Sequence, residues 1–398
     1  MALVLAQLGV FITLMTPAVL TLALRVAEVF PDTKNASLAV VLACGALCAT
    51  VSGPLFGSLS DRTTSKLGRR RPYLIAAVVG GLPGLLLMGL GNDLWVIVAG
   101  WCIVQLMMNA STTVIQTGVF DFIPTSHRAR VSAFMGMTGT LSTMIGTWMI
   151  QPVAWSTILM FMVPFVPALV FLLWLIRVMP DRPAPADPNR PKLTLLSFLS
   201  GLWVNPFKYH DFGWATLNRF LVNMGFATFV GYQTYAAMDR FGLAADEAAR
   251  LVAVTSTVIA VSVLVAAVPT GWLSDYFGRR KIFVAGAGVI MGIGLIIVGL
   301  STSIPVFLIG ASVAGIGFGL YLAIDLALIT STLPSAEKAA TAMGFSAAMA
   351  VVPQSLAPAL APALLAIGGG QNYTVLFMTA AALTVMGCLA VFKVRSVR

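Results

Sequence analysis

The chain has 398 residues, of which 59% are hydrophobic and 10% charged, where soluble domains carry roughly 45–50% and about 25%. With a mean hydropathy of +0.94, that balance excludes a soluble enzyme, a nucleic-acid-binding domain and a disordered chain, and defines an integral membrane protein. The net charge of +10 lies in short loops, where it orients a membrane protein rather than meeting nucleic acid.

An apolar run follows Met1 directly, with no basic stretch before it, so it reads as a first span and not as a cleavable leader. It starts so early that a trimmed beginning stands beside a natural one as an explanation. A helix needs about 20 apolar residues to cross about 30 Å of hydrocarbon. By that measure twelve spans are predicted, at about 3–24, 37–57, 73–91, 94–118, 131–151, 155–177, 213–236, 248–268, 282–300, 304–331, 340–366 and 372–392. The runs are continuous, unlike the weak alternation of a membrane barrel. Between spans 6 and 7 lies a polar stretch with Pro180, Pro183, Pro185, Pro188 and Pro191. It predicts a six-helix bundle over 1–178, a cytoplasmic linker over 179–212 and a second bundle over 213–398. Nineteen Lys and Arg residues fall on the side of the linker and four (Arg25, Lys34, Arg240, Arg250) on the other, leaving Arg219 inside a span. Both termini are therefore expected in the cytoplasm, with the chain in a plasma (inner) membrane.

Cys44, Cys48, Cys102 and Cys388 lie in apolar stretches without metal or disulfide spacing and read as small buried hydrophobes. No Walker motif, metal motif or nucleophile elbow is present, and His127 and His210 lack catalytic partners. No enzyme activity, cofactor or metal is expected.

The two halves repeat each other. Gly57-Ser-Leu-Ser-Asp61-Arg62 with Gly68-Arg69-Arg70-Arg71 follows span 2, and Gly271-Trp-Leu-Ser-Asp275 with Gly278-Arg279-Arg280-Lys281 follows span 8. Asp61 and Asp275 are 214 positions apart, and Pro124 and Pro334, each just after the fourth span of its half, are 210 apart. Glycine lets helices approach, while a carboxylate at a helix end can pair with arginines or cap a neighbouring helix. A pair that closes in one conformation and breaks in another is a conformational lock. Positive-inside topology alone would explain the arginines but not the recurring Gly-x-x-x-Asp spacing. These two loops resemble the signature loop of the major facilitator superfamily, and the resemblance covers the whole chain. The first copy, with four extra residues from Thr64 to Leu67, looks like the sucrose-transporter and glycoside–pentoside–hexuronide branches. That resemblance implies a fold of two pseudo-symmetric six-helix bundles, with spans 1, 4, 7 and 10 lining a cavity. It also implies proton- or cation-coupled sugar symport by alternating access.

Ionisable residues within spans are functional candidates. Asp325 in span 10 and Arg219 in span 7 both lie roughly 10–12 Å deep at 1.5 Å per residue, so they could meet. Asp325 would carry the coupling proton and Arg219 would tune it; alternatively Arg219 snorkels and the pair is static. By the proline alignment the position equivalent to Asp325 is Ile115, so the site is one-sided. Gln105, Asn109, Thr112 and Gln116 share one face of span 4, and Arg219, Asn223, Phe226 and Gln233 recur along span 7. With Tyr321 and Gln354 they form a candidate cavity for a polyhydroxylated solute; interhelical hydrogen bonding is the plainer alternative. Pro17, Pro164, Pro167 and Pro353 are expected to loosen their helices. Gly315-Ile-Gly317-Phe-Gly319 reads as close helix packing, not a nucleotide loop. The expected protein is a monomeric secondary transporter of a sugar or glycoside. The alternative is proton-coupled efflux of drug-like or other small metabolites, which would favour a more aromatic cavity.

Overall fold

The computed structural model describes residues 1–181, 183, 204–206, 208–277, 280–334 and 339–395; most of the linker, 184–203, lies outside them. No strand occurs among the described residues, which form twelve long helices. Helix 1 is Ala2–Thr16 continued through Pro17–Thr21 to Leu22–Val29; helix 2 is Lys34–Arg62, helix 3 Arg71–Leu90, helix 4 Leu94–Phe122 and helix 5 Thr125–Ile150. Helix 6 is Thr157–Met162 with Phe165–Val178, helix 7 His210–Phe241, helix 8 Ala245–Phe277, helix 9 Arg280–Leu300 and helix 10 Ile304–Ser331. Helix 11 is Ala339–Val351 with Pro353–Leu365, and helix 12 is Tyr373–Ala390.

Among the described residues, ten of these are apolar and long enough to cross a membrane. Helices 5 and 7, at 26 and 32 residues, are long enough but carry more polar side chains. Helix 10 begins and ends where its apolar run does, whereas helices 2, 4, 7 and 8 run about one turn or more past theirs. Hydropathy ends where the hydrocarbon would, but the backbone ladder continues until a cap or a break stops it. Asp61 and Asp121 thereby become last-turn helical residues.

Proline breaks three helices, because it lacks the N–H and its ring clashes with the preceding turn. Helix 1 relaxes into a π turn at Pro17–Thr21, helix 6 opens around Pro164, and helix 11 breaks before Pro353. The freed Pro164 carbonyl accepts the Thr13 hydroxyl at 3.1 Å, stitching helix 6 to helix 1. Asp93, Ser156 and Asn372 cap the starts of helices 4, 6 and 12, each accepting a backbone N–H of the first turn.

The chain divides into two compact units, Met1–Asn189 with Leu243–Ser256, and Arg190–Gly242 with Thr257–Arg398. In the first, helix 4 packs on helices 2 and 3, and helix 1 on helices 5 and 6. In the second, helix 9 packs on helices 10 and 12, and helix 7 on helices 11 and 12. Small residues set these distances. A Cβ on Gly315 would stand 3.2 Å from the Ile259 backbone, and one on Gly319 2.5 Å from the Val263 carbonyl, both on helix 8. One on Gly317 would collide with the Met291 backbone of helix 9. The glycine run is thus a packing surface on both sides of helix 10.

Candidate functional site

Two clusters of charge among the described residues carry the candidate site residues. The first forms where helices 2 and 4 end and helix 3 begins. Arg70, whose side chain is 3% exposed, contacts Asp61 Oδ1 through Nη2 at 2.8 Å. Its Nη2 and Nε donate to Asp121 Oδ2 at 3.0 and 3.1 Å, and its Nη1 to Ser60 Oγ at 2.6 Å. Arg69 Nη2 reaches Asp121 Oδ1 at 2.8 Å. Asp181 accepts the backbone N–H groups of Arg70 and Arg71 at 2.7 and 2.9 Å, placing a carboxylate at the positive end of helix 3. Gly68 supplies the turn before it at φ +102°, and a Cβ there would collide with the Asp181 carboxylate. Gly57 faces helix 4, where a Cβ would stand 3.3 Å from Thr113 Cγ2. Arg62 closes helix 2.

Asp121, Asp181 and Ser60 were not expected in this cluster. Asp121 could have been found as the carboxylate of the repeat landmark, since Ser331 stands there in the second half. Asp181 sits in polar linker sequence with nothing local to mark it. Of the second copy, the backbone of 271–277 continues helix 8 and Arg280 opens helix 9. Gly278 and Arg279, and the side chains of Asp275 and Arg280, lie outside the described residues, as does all side-chain surrounding of Gly271.

The second cluster lies inside the second unit. Asp325 on helix 10 is 5% exposed. Its Oδ1 accepts the Tyr321 hydroxyl at 2.6 Å, and its Oδ2 stands 3.4 Å from Arg219 Nε on helix 7. Arg219 Nη1 donates to Ser346 Oγ of helix 11 at 3.0 Å. The chain Tyr321–Asp325–Arg219–Ser346 therefore joins helices 7, 10 and 11. Asn223, one turn on, gives its amide to the Arg219 carbonyl at 2.8 Å. Phe226 stacks on Phe318 with centroids 3.8 Å apart and planes 8° apart, and Phe318 stacks on Tyr321 at 6.3 Å.

The other candidate residues are not gathered as evenly. On helix 4, Asn109 Nδ2 donates to both the Gln105 side-chain and backbone oxygens at 2.8 Å, and Thr112 donates to the Met108 carbonyl at 3.1 Å. Gln116 is exposed. Gln233 is 1% exposed with its Oε1 unpaired, and Gln354 is exposed beside the break in helix 11. His127, in the first turn of helix 5, is exposed against Ser126. No cluster of three or more metal-ligating side chains occurs among the described residues.

A chain of long apolar helices in two units, with charge held at helix ends and at a buried pair between helices, has the make-up of a multi-pass membrane protein. The profile of the Major Facilitator Superfamily matches residues 1–264 and 237–398, and the chain belongs to that family. That family is one of membrane transporters. The chain is 35% identical over 103 residues to the MFS-type transporter YfiU of Bacillus subtilis (strain 168), covering 26% of this chain and 20% of that protein. It is 46% identical over 46 residues to human proton-associated sugar transporter A, covering 12% of this chain and 6% of that protein. The chain thus aligns with only a small part of the length of either relative. The crystal structure of a D-xylose-proton symporter shares the fold with a TM-score of 0.73 at 15% identity, over 100% of this chain and 97% of that one.

Proposed function

We propose that the chain is a proton-coupled symporter of a sugar or glycoside, working by alternating access. The observation that carries the reading is the Tyr321–Asp325–Arg219–Ser346 chain. A carboxylate and a guanidinium inside apolar helices lose several kcal/mol of hydration each, and such residues mark ion and substrate pathways. Protonation of Asp325 removes the charge that faces Arg219 and frees helix 10 from helix 7; loss of the proton restores the pair. The Asp61–Arg70–Asp121 cluster is the lock on the first unit, and the second copy, Asp275 with Arg279 and Arg280, is its counterpart. The partition into 1–178, 179–212 and 213–398, cytoplasmic termini and a monomeric state complete the proposal. The long first loop, the named sugar transporter among the relatives and the named symporter among the structural neighbours support the cargo and the coupling.

The test is uptake into proteoliposomes under an imposed inward proton gradient, with labelled mono- and disaccharides and amphipathic dyes. Gradient-driven sugar accumulation supports the proposal, and Asp325→Asn then abolishes it while sparing counterflow exchange. Driven accumulation that survives in Asp325→Asn removes Asp325 as the proton carrier. A second reading, proton-coupled efflux, is favoured by one feature, the Phe226–Phe318–Tyr321 stack, which suits a flat apolar solute. Dye movement against the gradient without sugar uptake would select it.

A further inference from the structure

Three arginines set in or beside the apolar helices each hold several partners, although the Nε of Arg25 is left without one. Arg70 meets Ser60, Asp61 and Asp121; Arg25 meets Glu28, Asn92 Oδ1 and the Gly91 carbonyl; Arg240 meets the Val298 and Gly299 carbonyls and Thr374. Arg219 is different. A guanidinium offers five N–H donors, yet among the described residues Arg219 makes a single hydrogen bond, to Ser346. Its buried Nε has no hydrogen-bond partner and lies 3.4 Å from Asp325, short of the forked contact of a settled pair. Its side chain is 19% exposed, against 7% for Asp325. Asp325, for its part, is already served by Tyr321 on Oδ1.

We propose that Arg219 anchors an anionic group of the cargo, a carboxylate or similar oxyanion on a hydroxylated solute. The proposal rests on the proton-symport reading above and narrows its substrate class to acidic sugars. When Asp325 takes a proton, the guanidinium loses its counter-charge and the solute's carboxylate replaces it. When the solute leaves, Asp325 gives up the proton and faces Arg219 again. Proton and anion therefore raise each other's affinity by the same factor, and the pair crosses without net charge. Among the described residues, Tyr321 of helix 10, Arg219 of helix 7 and the buried Cys388 thiol of helix 12 are the titratable groups that face Asp325.

The experiment measures ligand protection against thermal unfolding in the purified full chain at pH 5.5 and pH 8, with glucuronate, galacturonate and gluconate set against glucose and galactose. Acids that protect more than their neutral counterparts, and more at the lower pH, are expected. Arg219→Gln abolishes that difference and Arg219→Lys weakens it. Asp325→Asn, which leaves Arg219 without a counter-charge, binds the acids equally at both pH values. Neutral sugars that bind and are accumulated with protons, with no advantage for the acids in wild type or Asp325→Asn, overturn the anchor and leave the symport reading standing. Acids that bind without any proton dependence in transport overturn the symport reading instead.

A second observation is independent of the cargo. Arg25 and Arg240, 215 positions apart, make the same contact in the two units. Each comes from the end of its unit's first helix and donates to carbonyls at the end of the third, Gly91 after helix 3 or Val298 and Gly299 in helix 9. Those carbonyls lie at the negative end of the helix dipole, where Val298 also accepts the Ser301 N–H and hydroxyl and Gly299 the Thr374 hydroxyl. The structure assigns Arg25 and Arg240 as paired braces, positioning residues that make the first and third helices of each unit tilt together. The test is spin-label distance measurement in a cysteine-free background, with labels at Val29 and Leu90 in one unit and Phe241 and Leu300 in the other. Arg25→Gln and Arg240→Gln should broaden only the distance in their own unit, with turnover falling while the half-saturation concentration holds. Should a Gln variant fail to fold, Arg→Lys, which keeps the charge but not the fork, should broaden it less. Unchanged distances in folded variants overturn the braces.

Discussion

Substitution of Asp121 by Asn should cost far more than the same change at Asp61, although the loop motif puts Asp61 at its centre. The Asp61 side chain is 55% exposed and stands 2.8 Å from Arg70 Nη2. An ion pair that open to water contributes about 0–1 kcal/mol. The Asp121 side chain is 20% exposed and takes N–H groups from Arg69 and Arg70 at 2.8, 3.0 and 3.1 Å on its two oxygens. Asn keeps one acceptor oxygen and turns an NH2 group toward a guanidinium. Since hydrogen bonds to charged groups contribute about 1.5–3 kcal/mol, the change costs about 2–3 kcal/mol. For a unit of this size that is a fall of about 5–10 °C in Tm, against about 2–3 °C or less for Asp61→Asn. Thermal unfolding of both purified variants in one detergent makes the comparison. A loss in Asp61→Asn equal to or greater than that in Asp121→Asn would refute the claim that burial ranks the members of this cluster.

Gly68→Ala should destabilise the chain by about 1–3 kcal/mol, because the residue sits at φ +102° and its Cβ would meet Asp181; a thermal shift below that of Asp61→Asn would contradict it. Asp181→Ala should remove the acceptor of two N–H groups at the start of helix 3 and cost about 1 kcal/mol, read as faster amide exchange at Arg70 and Arg71 and unchanged exchange in helix 9. Tyr321→Phe keeps the ring on Phe318 but leaves Asp325 Oδ1 without its donor, costing about 1–3 kcal/mol, while Phe318→Leu should cost packing alone and leave the proton dependence of transport unaltered.

The comparison of chain and fold turns on what acts locally. The hydrocarbon's demand for apolar length places every helix, and helix 10 was legible to the residue at 304–331. The breaks at Pro17, Pro164 and Pro353 follow from a missing N–H at a known position. The meeting of Arg219 and Asp325 was legible as equal depth on two helices, and Asp61 with Arg70 as a repeated spacing. Asp121 and Asp181 were not, because they reach Arg70 across 51 and 111 positions.

Composition, proline and charge placement by themselves determined a twelve-helix membrane chain, its duplicated plan and its intramembrane ionisable residues. Each of these signals acts along the chain. Only the tertiary structure decided which side chains meet, because that depends on how each helix is rotated and how closely its glycines let neighbours come. Gly315 and Gly319 turn one face of helix 10 to helix 8, and Gly317 turns another to helix 9. With helix 10 held between them, Phe318 lies against Phe226, Tyr321 beneath Asp325, and Asp325 before an arginine with donors to spare.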